Sequence, residues 1–254
     1  MTTRRGHGWW PYWLPLMSFL VLGEIAGKFP EAAQPFFLPL KVAVPGLAFL
    51  YFFYVRGEYP ELRSYRPGLA LGLADLGIGV LGGAVWMAPY LFALEFDPPL
   101  WSALPELLQP DPEQGFDRFQ LGSGLVGLTL AIRALGYAAV TPFVEELFVR
   151  SWLARYADVF DRPVDFRDVP IARFSWVSLS IVTLFFTLSH VPWEWPVAVA
   201  WIVGTQLWFY YRREFGALVM VHAGSNAAIF LFVWLTDGHW TGAGGRVLDL
   251  WFFL

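Results

Sequence analysis

The sequence predicts an all-α fold, a polytopic transmembrane helix bundle with seven or eight membrane helices. Three observations carry that prediction. Of 254 residues, 57% are hydrophobic, 19% aromatic and only 15% charged, whereas a soluble domain carries about 25% charged residues. Mean hydropathy is +0.50, and one soluble core of this size could not hide so much apolar surface. Positive charge, finally, is concentrated in alternate loops. An ordinary cytosolic enzyme is therefore excluded. The net charge of −4 leaves no electrostatic footprint for nucleic acid. The chain has no cysteine, so disulfides, thiolate metal sites and a cysteine nucleophile are excluded as well.

A bilayer core of about 30 Å takes roughly 20 mostly apolar residues per helix. Seven segments qualify, at about 10–27, 37–55, 69–94, 121–156, 174–191, 195–211 and 215–236. The first follows Arg4 and Arg5 as a signal peptide would. Trp9, Trp10, Tyr12 and Trp13 crowd its start, however, and Glu24 stands where a small-residue cleavage site belongs. It reads as a retained span. The second, third, sixth and seventh are plain apolar runs, rich in the Gly and Ala that close packing in lipid favours. The fourth is too long for one plain span and contains Pro142. It is either a long kinked helix or two helices broken near Thr141–Pro142, which would make eight. The fifth ends in a histidine before Pro192. No internal repeat or linker divides the chain, so 1–254 reads as one integral membrane domain.

Arginines collect before the first span (Arg4, Arg5), after the second (Arg56, Arg63, Arg66), after the fourth (Arg155, Arg162, Arg167, Arg173) and after the sixth (Arg212, Arg213). The intervening loops carry only Lys28, Lys41, Arg118 and Arg246, and the 95–120 loop is acidic. The positive-inside rule then puts the N-terminus in the cytoplasm and the C-terminus on the far side.

Ionisable groups inside spans are costly and are functional candidates by default. The richest run is Pro142-Phe-Val-Glu-Glu-Leu-Phe-Val-Arg150. Glu146 and Arg150 are spaced i,i+4 and suit a salt bridge. Glu145 then faces elsewhere, where it could hold a water as general base. The alternative is an interfacial charge cluster. Phe186 and His190 share a helix face, as either a packed catalytic imidazole or an interface histidine. His222 and Asn226 are again i,i+4, with small residues between, and either stabilise an oxyanion or form an interhelical hydrogen-bond pair. Asp75 and Arg133 either pair with each other across helices or line a cavity, and Glu24 reads as structural. His7 and His239 fall in terminal or loop segments.

The ordered triplet Glu145-Glu146-xxx-Arg150, Phe186-xxx-His190 and His222-xxx-Asn226 resembles the CPBP family, the CAAX-processing and bacteriocin-processing intramembrane proteases that include the Rce1-type endopeptidases. The matching catalytic core runs over 121–236. The stretch from Asp165-Phe-Arg-Asp-Val-Pro to the Trp-rich tail resembles a bacterial subgroup, the CAAX prenyl protease-related proteins that accompany exosortase sorting systems. Ser151 departs from the glycine that many members carry after the arginine, and is expected on an exposed face.

The resemblance implies catalytic roles for Glu145 as general base, His190 as its partner in holding water, and Asn226, supported by His222, at the oxyanion. Glu146 and Arg150 would fix the local helix geometry, and Phe186 would pack beside His190. The favoured chemistry needs no cofactor. Zinc stays open, with Glu145, His190 and His222 as its ligands. The implied activity is endoproteolysis near the C-terminus of a membrane-embedded or lipidated protein in the bacterial inner membrane. In an exosortase setting the substrate is a sorted surface protein's C-terminal segment rather than a prenylated one. Two other readings compete, a non-catalytic membrane scaffold that binds peptide tails and a proton-coupled transporter. One geometric demand follows. Spans of the expected lengths put His190 and Glu145 roughly ten ångströms apart in depth, which favours the broken form of the fourth segment.

Overall fold

The computed structural model describes residues 8–95, 103–110, 115–241, 245, 247 and 249–254, and it is helical throughout apart from an isolated bridge between Thr241 and Val247. Arg4, Arg5, His7, Asp97, Asp111, Glu113 and Arg246 lie outside the described residues. The main helices are α1 (Trp10–Ala26), α2 (Gln34–Val55), α3 (Leu69–Glu95), α4 (Ser123–Ala157), α5 (Trp176–Leu188), α6 (Trp195–Arg212) and α7 (Phe215–Thr236). Four of these, α2, α3, α4 and α7, are long and apolar enough to cross a membrane, and α5 is a shorter apolar helix. Together they make the expected membrane helix bundle.

Helix α7 is its axis. Its most apolar window is 56% buried, against 11% for α2 and α4 and 22% for α3. The outward faces of the others are apolar, with Leu69, Leu73, Phe92, Leu128, Leu184 and Leu188 at least half exposed. Such faces suit lipid, not water. Backbone contact sets the seam between α3 and α7. A Cβ on Gly79 would lie 2.5 Å from the Val221 carbonyl oxygen, and one on Gly83 would lie 2.8 Å from that of Ser225. Ser225 Oγ donates to the Gly79 carbonyl at 2.8 Å. The small residues between His222 and Asn226 therefore receive a neighbouring helix.

Helix α4 runs without a break from Ser123 to Ala157, so the broken form of this segment is corrected. It accommodates Pro142 through a π-turn at Gly136–Val140, and a second π-turn follows at Leu147–Leu153. The Thr141 N–H bonds the Gly136 carbonyl, and Pro142 has no N–H to offer. The Tyr137 carbonyl is consequently left free of the helix ladder.

The depth demand is met at α5 instead. This helix starts at Trp176 and stops at Leu188, because Val191 before Pro192 is forced into an extended conformation. At 1.5 Å per residue, His190 lies about 21 Å and Glu145 about 18 Å from the arginine-rich ends of their helices. The two residues are level.

Two ionic knots tie down the arginine-rich end. Asp75 on α3 accepts from Arg212 Nε at 2.9 Å, Trp208 Nε1 at 2.9 Å and Tyr65 Oη at 3.0 Å. The expected alternative of an Asp75–Arg133 pair is thus corrected, since Asp75 belongs to Arg212. In the second knot Ser151 is fully buried and donates to Glu61, and Arg155 reaches Ser151 Oγ at 2.6 Å and Glu61 at 3.4 Å. Ser151 was expected on an exposed face. The one-turn helix Pro60–Arg63 covers it instead. Glu24 forms an exposed i,i+4 pair with Lys28 at 3.0 Å.

Candidate active site

Glu146 and Arg150 sit one helical turn apart on α4 with neither side chain exposed, and Arg150 Nη1 donates to both carboxylate oxygens at 2.7 and 2.8 Å. Removing either partner would strand the other charge in an apolar interior. Arg150 also donates to Thr205 Oγ1 at 2.8 Å and to Gln206 Oε1 at 3.3 Å, both on α6. Its guanidinium lies over the rings of Phe186 and Trp201. One side chain thereby holds α4, α5 and α6 together.

Glu146 passes this order to α7. Its Oε1 lies 2.7 Å from His222 Nδ1. A carboxylate can only accept, so Nδ1 is the donor. Nε2 of the same ring lies 3.8 Å from Glu145 Oε2. His222 is edge-on to Trp201, at 4.8 Å between centroids. The imidazole is thus fixed between two adjacent carboxylates that the helix points in different directions.

His190 is held differently. Its Nδ1 is 2.7 Å from the carbonyl oxygen of Phe186, an acceptor left open by the end of α5. Nδ1 must carry the proton, which leaves Nε2 as an acceptor. The ring packs on Phe186 at 4.4 Å and on Trp86 at 5.3 Å. Asn226 Nδ2 donates at 2.7 Å to the Tyr137 carbonyl, the same group that the π-turn and Pro142 set free. One N–H of that amide is committed to the backbone, and the other is not.

These groups converge on a cavity of ≈ 740 Å³ lined by Glu145, His190, His222 and Asn226, with Phe186 beside them. Glu145 keeps 23% of its side chain accessible, whereas Glu146 keeps none. Arg150 and Glu146 stand behind this wall. The cavity is also lined by Glu106, Gln109, Trp193 and the Phe252–Leu254 tail. Tyr90 anchors Trp193 by donating to its carbonyl. Glu194, in the turn after His190, accepts from Trp86 Nε1 at 3.3 Å. Burial pushes its carboxyl up to about 7, and the charge of Glu145 adds to the effect.

Among the described residues no group of three His, Asp or Glu side chains could hold a metal ion. His239 is an exposed loop residue whose Nδ1 lies near the Asp237 carbonyl.

Sequence reasoning missed Trp86, Trp201, Tyr137, Thr205, Gln206 and Glu194. Thr205 and Gln206 carried a usable signal, being polar neighbours inside an apolar span. The tryptophans carried none in a chain with 14 of them, and the Tyr137 contribution is a backbone atom.

Residues 127–228 match the family described as Type II CAAX prenyl endopeptidase Rce1-like. No curated protein and no solved structure matches the chain.

Proposed function

We propose, from the premise that residues 127–228 form an Rce1-like domain, that this integral membrane protein is an intramembrane endopeptidase with Glu145 as its general base. The observation that carries the reading is the unequal fate of the two adjacent carboxylates. Glu146 is saturated by Arg150 and His222, while Glu145 faces the cavity beside His222 and His190.

In this reading a water is held between the Glu145 carboxylate and His190 Nε2. Glu145 takes a proton as the water oxygen bonds to the substrate carbonyl carbon. The carbonyl electron pair moves onto oxygen, where the uncommitted N–H of Asn226 stabilises the oxyanion with support from His222. The C–N bond then breaks, and Glu145 returns its proton to the leaving amine. Each step uses residues of this chain alone. The substrate we propose is the C-terminal region of a membrane-embedded or lipidated protein, with a sorted surface protein of an exosortase system as the fitting bacterial case.

The test uses purified protein in lipid nanodiscs with internally quenched peptides, S-prenylated and unmodified. Glu145→Gln is expected to lower kcat by about 10²- to 10⁴-fold while the thermal midpoint stays near that of the wild type. Full activity in this variant would remove Glu145 from the chemistry. Binding of the peptides by the wild type with no cleavage would favour the scaffold reading.

A further inference from the structure

Arg150, Arg155 and Arg212 are each buried against a carboxylate. Arg133 is different. It lies on α4 about 15 Å along the helix from Ser123 and lines the same cavity as Glu145. Its Nε is buried with no hydrogen-bond partner, and among the described residues no carboxylate pairs with it. The guanidinium is clamped between the rings of Phe116 and Tyr137, at 5.1 and 5.2 Å. Lys41 on α2 is close enough for the two positive charges to interact. Aromatic faces orient a cation without neutralising it. A guanidinium withdrawn from water is costly and is normally paired, so this arrangement lacks an anion.

We propose that Arg133 binds the C-terminal carboxylate of the substrate, at the end of the cavity away from Glu145. The proposal rests on the peptidase reading and assigns the feature that would direct cleavage towards a chain terminus. The planar guanidinium offers parallel donors that match a carboxylate, and the two rings fix its plane. Arg133 and Glu145 are separated by about 18 Å along α4, the length of about five extended residues. The scissile bond therefore lies a few residues from the chain end.

The experiment compares two internally quenched, S-prenylated peptides of one sequence, one ending in a free carboxylate and the other in a carboxamide, in nanodiscs of neutral lipid. The wild type is expected to favour the acid by about 10- to 100-fold in kcat/KM, as one charge-assisted pair provides. Arg133→Gln should bring that ratio close to one, and Arg133→Lys should keep part of it. Binding of both peptides to Glu145→Gln is measured in parallel. Cleavage by the wild type without acid preference, or an equal loss on both peptides in Arg133→Gln, overturns the proposal and leaves the peptidase reading standing. An Arg133-dependent binding preference without cleavage by the wild type overturns the peptidase reading instead. An acid preference that disappears when anionic lipid is added would show that Arg133 also accepts a lipid phosphate. An acid preference absent in neutral lipid as well would reject the carboxylate.

Discussion

A carboxyl group held near neutrality by burial leaves a mark on stability, and Glu194 provides one. Its pKa is raised from 4.5 to about 7 by desolvation, so the folded protein keeps the proton over a range where the unfolded chain loses it. That contribution is fully present below about pH 4.5 and is lost as pH rises through about 7, a change on the order of 3 kcal/mol. Thermal midpoints measured from pH 5 to pH 8 should therefore fall in the wild type relative to Glu194→Gln, which lacks the titration. Parallel curves would mean that Glu194 is not buried against Trp86. Residues of this kind mark the limit of reading by spacing. The Glu146–Arg150 pair is legible because i,i+4 neighbours meet on any helix. The contact of His222 with Glu146 is not, since it joins α7 to α4 across 76 positions. Ser151 shows the same limit, because a one-turn helix distant in sequence decides that it is buried.

The pairing of α3 with α7 depends on absent side chains, and its effect reaches the proposed catalytic groups. At Gly79 a methyl group would collide with the Val221 backbone, whereas at Gly77 it would meet nothing within 4 Å. Gly79→Ala should cost about 1–3 kcal/mol as overpacking and reduce peptidase activity, because α7 carries both His222 and Asn226. Gly77→Ala should be close to silent in both measurements. Equal effects from the two substitutions would show that the seam lies elsewhere. Most elements were legible in the sequence, since apolar length alone separates the helices. The continuity of α4 was not. Pro142 suggested a break, but a π-turn absorbs the proline and directs the freed Tyr137 carbonyl to Asn226. The short length of α5 was likewise hidden, because no Gly or Pro stands between the last helical residue, Leu188, and Pro192 to mark the stop.

Across the whole molecule, the segment that carries Glu106 and Gln109 and the arginine-rich loops join opposite ends of successive helices. Glu106, Gln109 and Trp193 line the cavity, and the knots of Asp75–Arg212 and Glu61–Arg155 close the arginine-rich end. With no native cysteine, single reporters can be placed cleanly. A cysteine at Gln109 should react in intact cells with a membrane-impermeant maleimide, and one at Arg162 only after permeabilisation. The reverse pattern would invert the assigned orientation. The length of α5 has a consequence for the lipid around it. Its 13 residues cover about 20 Å, while the hydrocarbon layer is about 30 Å thick. Leu184 and Leu188 nevertheless face outward. Hydrophobic mismatch predicts that a bilayer meeting this flank thins, drawing its headgroups and their hydration inward toward the level of His190. Under the peptidase reading, water would then reach the site by the dip of the membrane surface rather than by a deep aqueous channel.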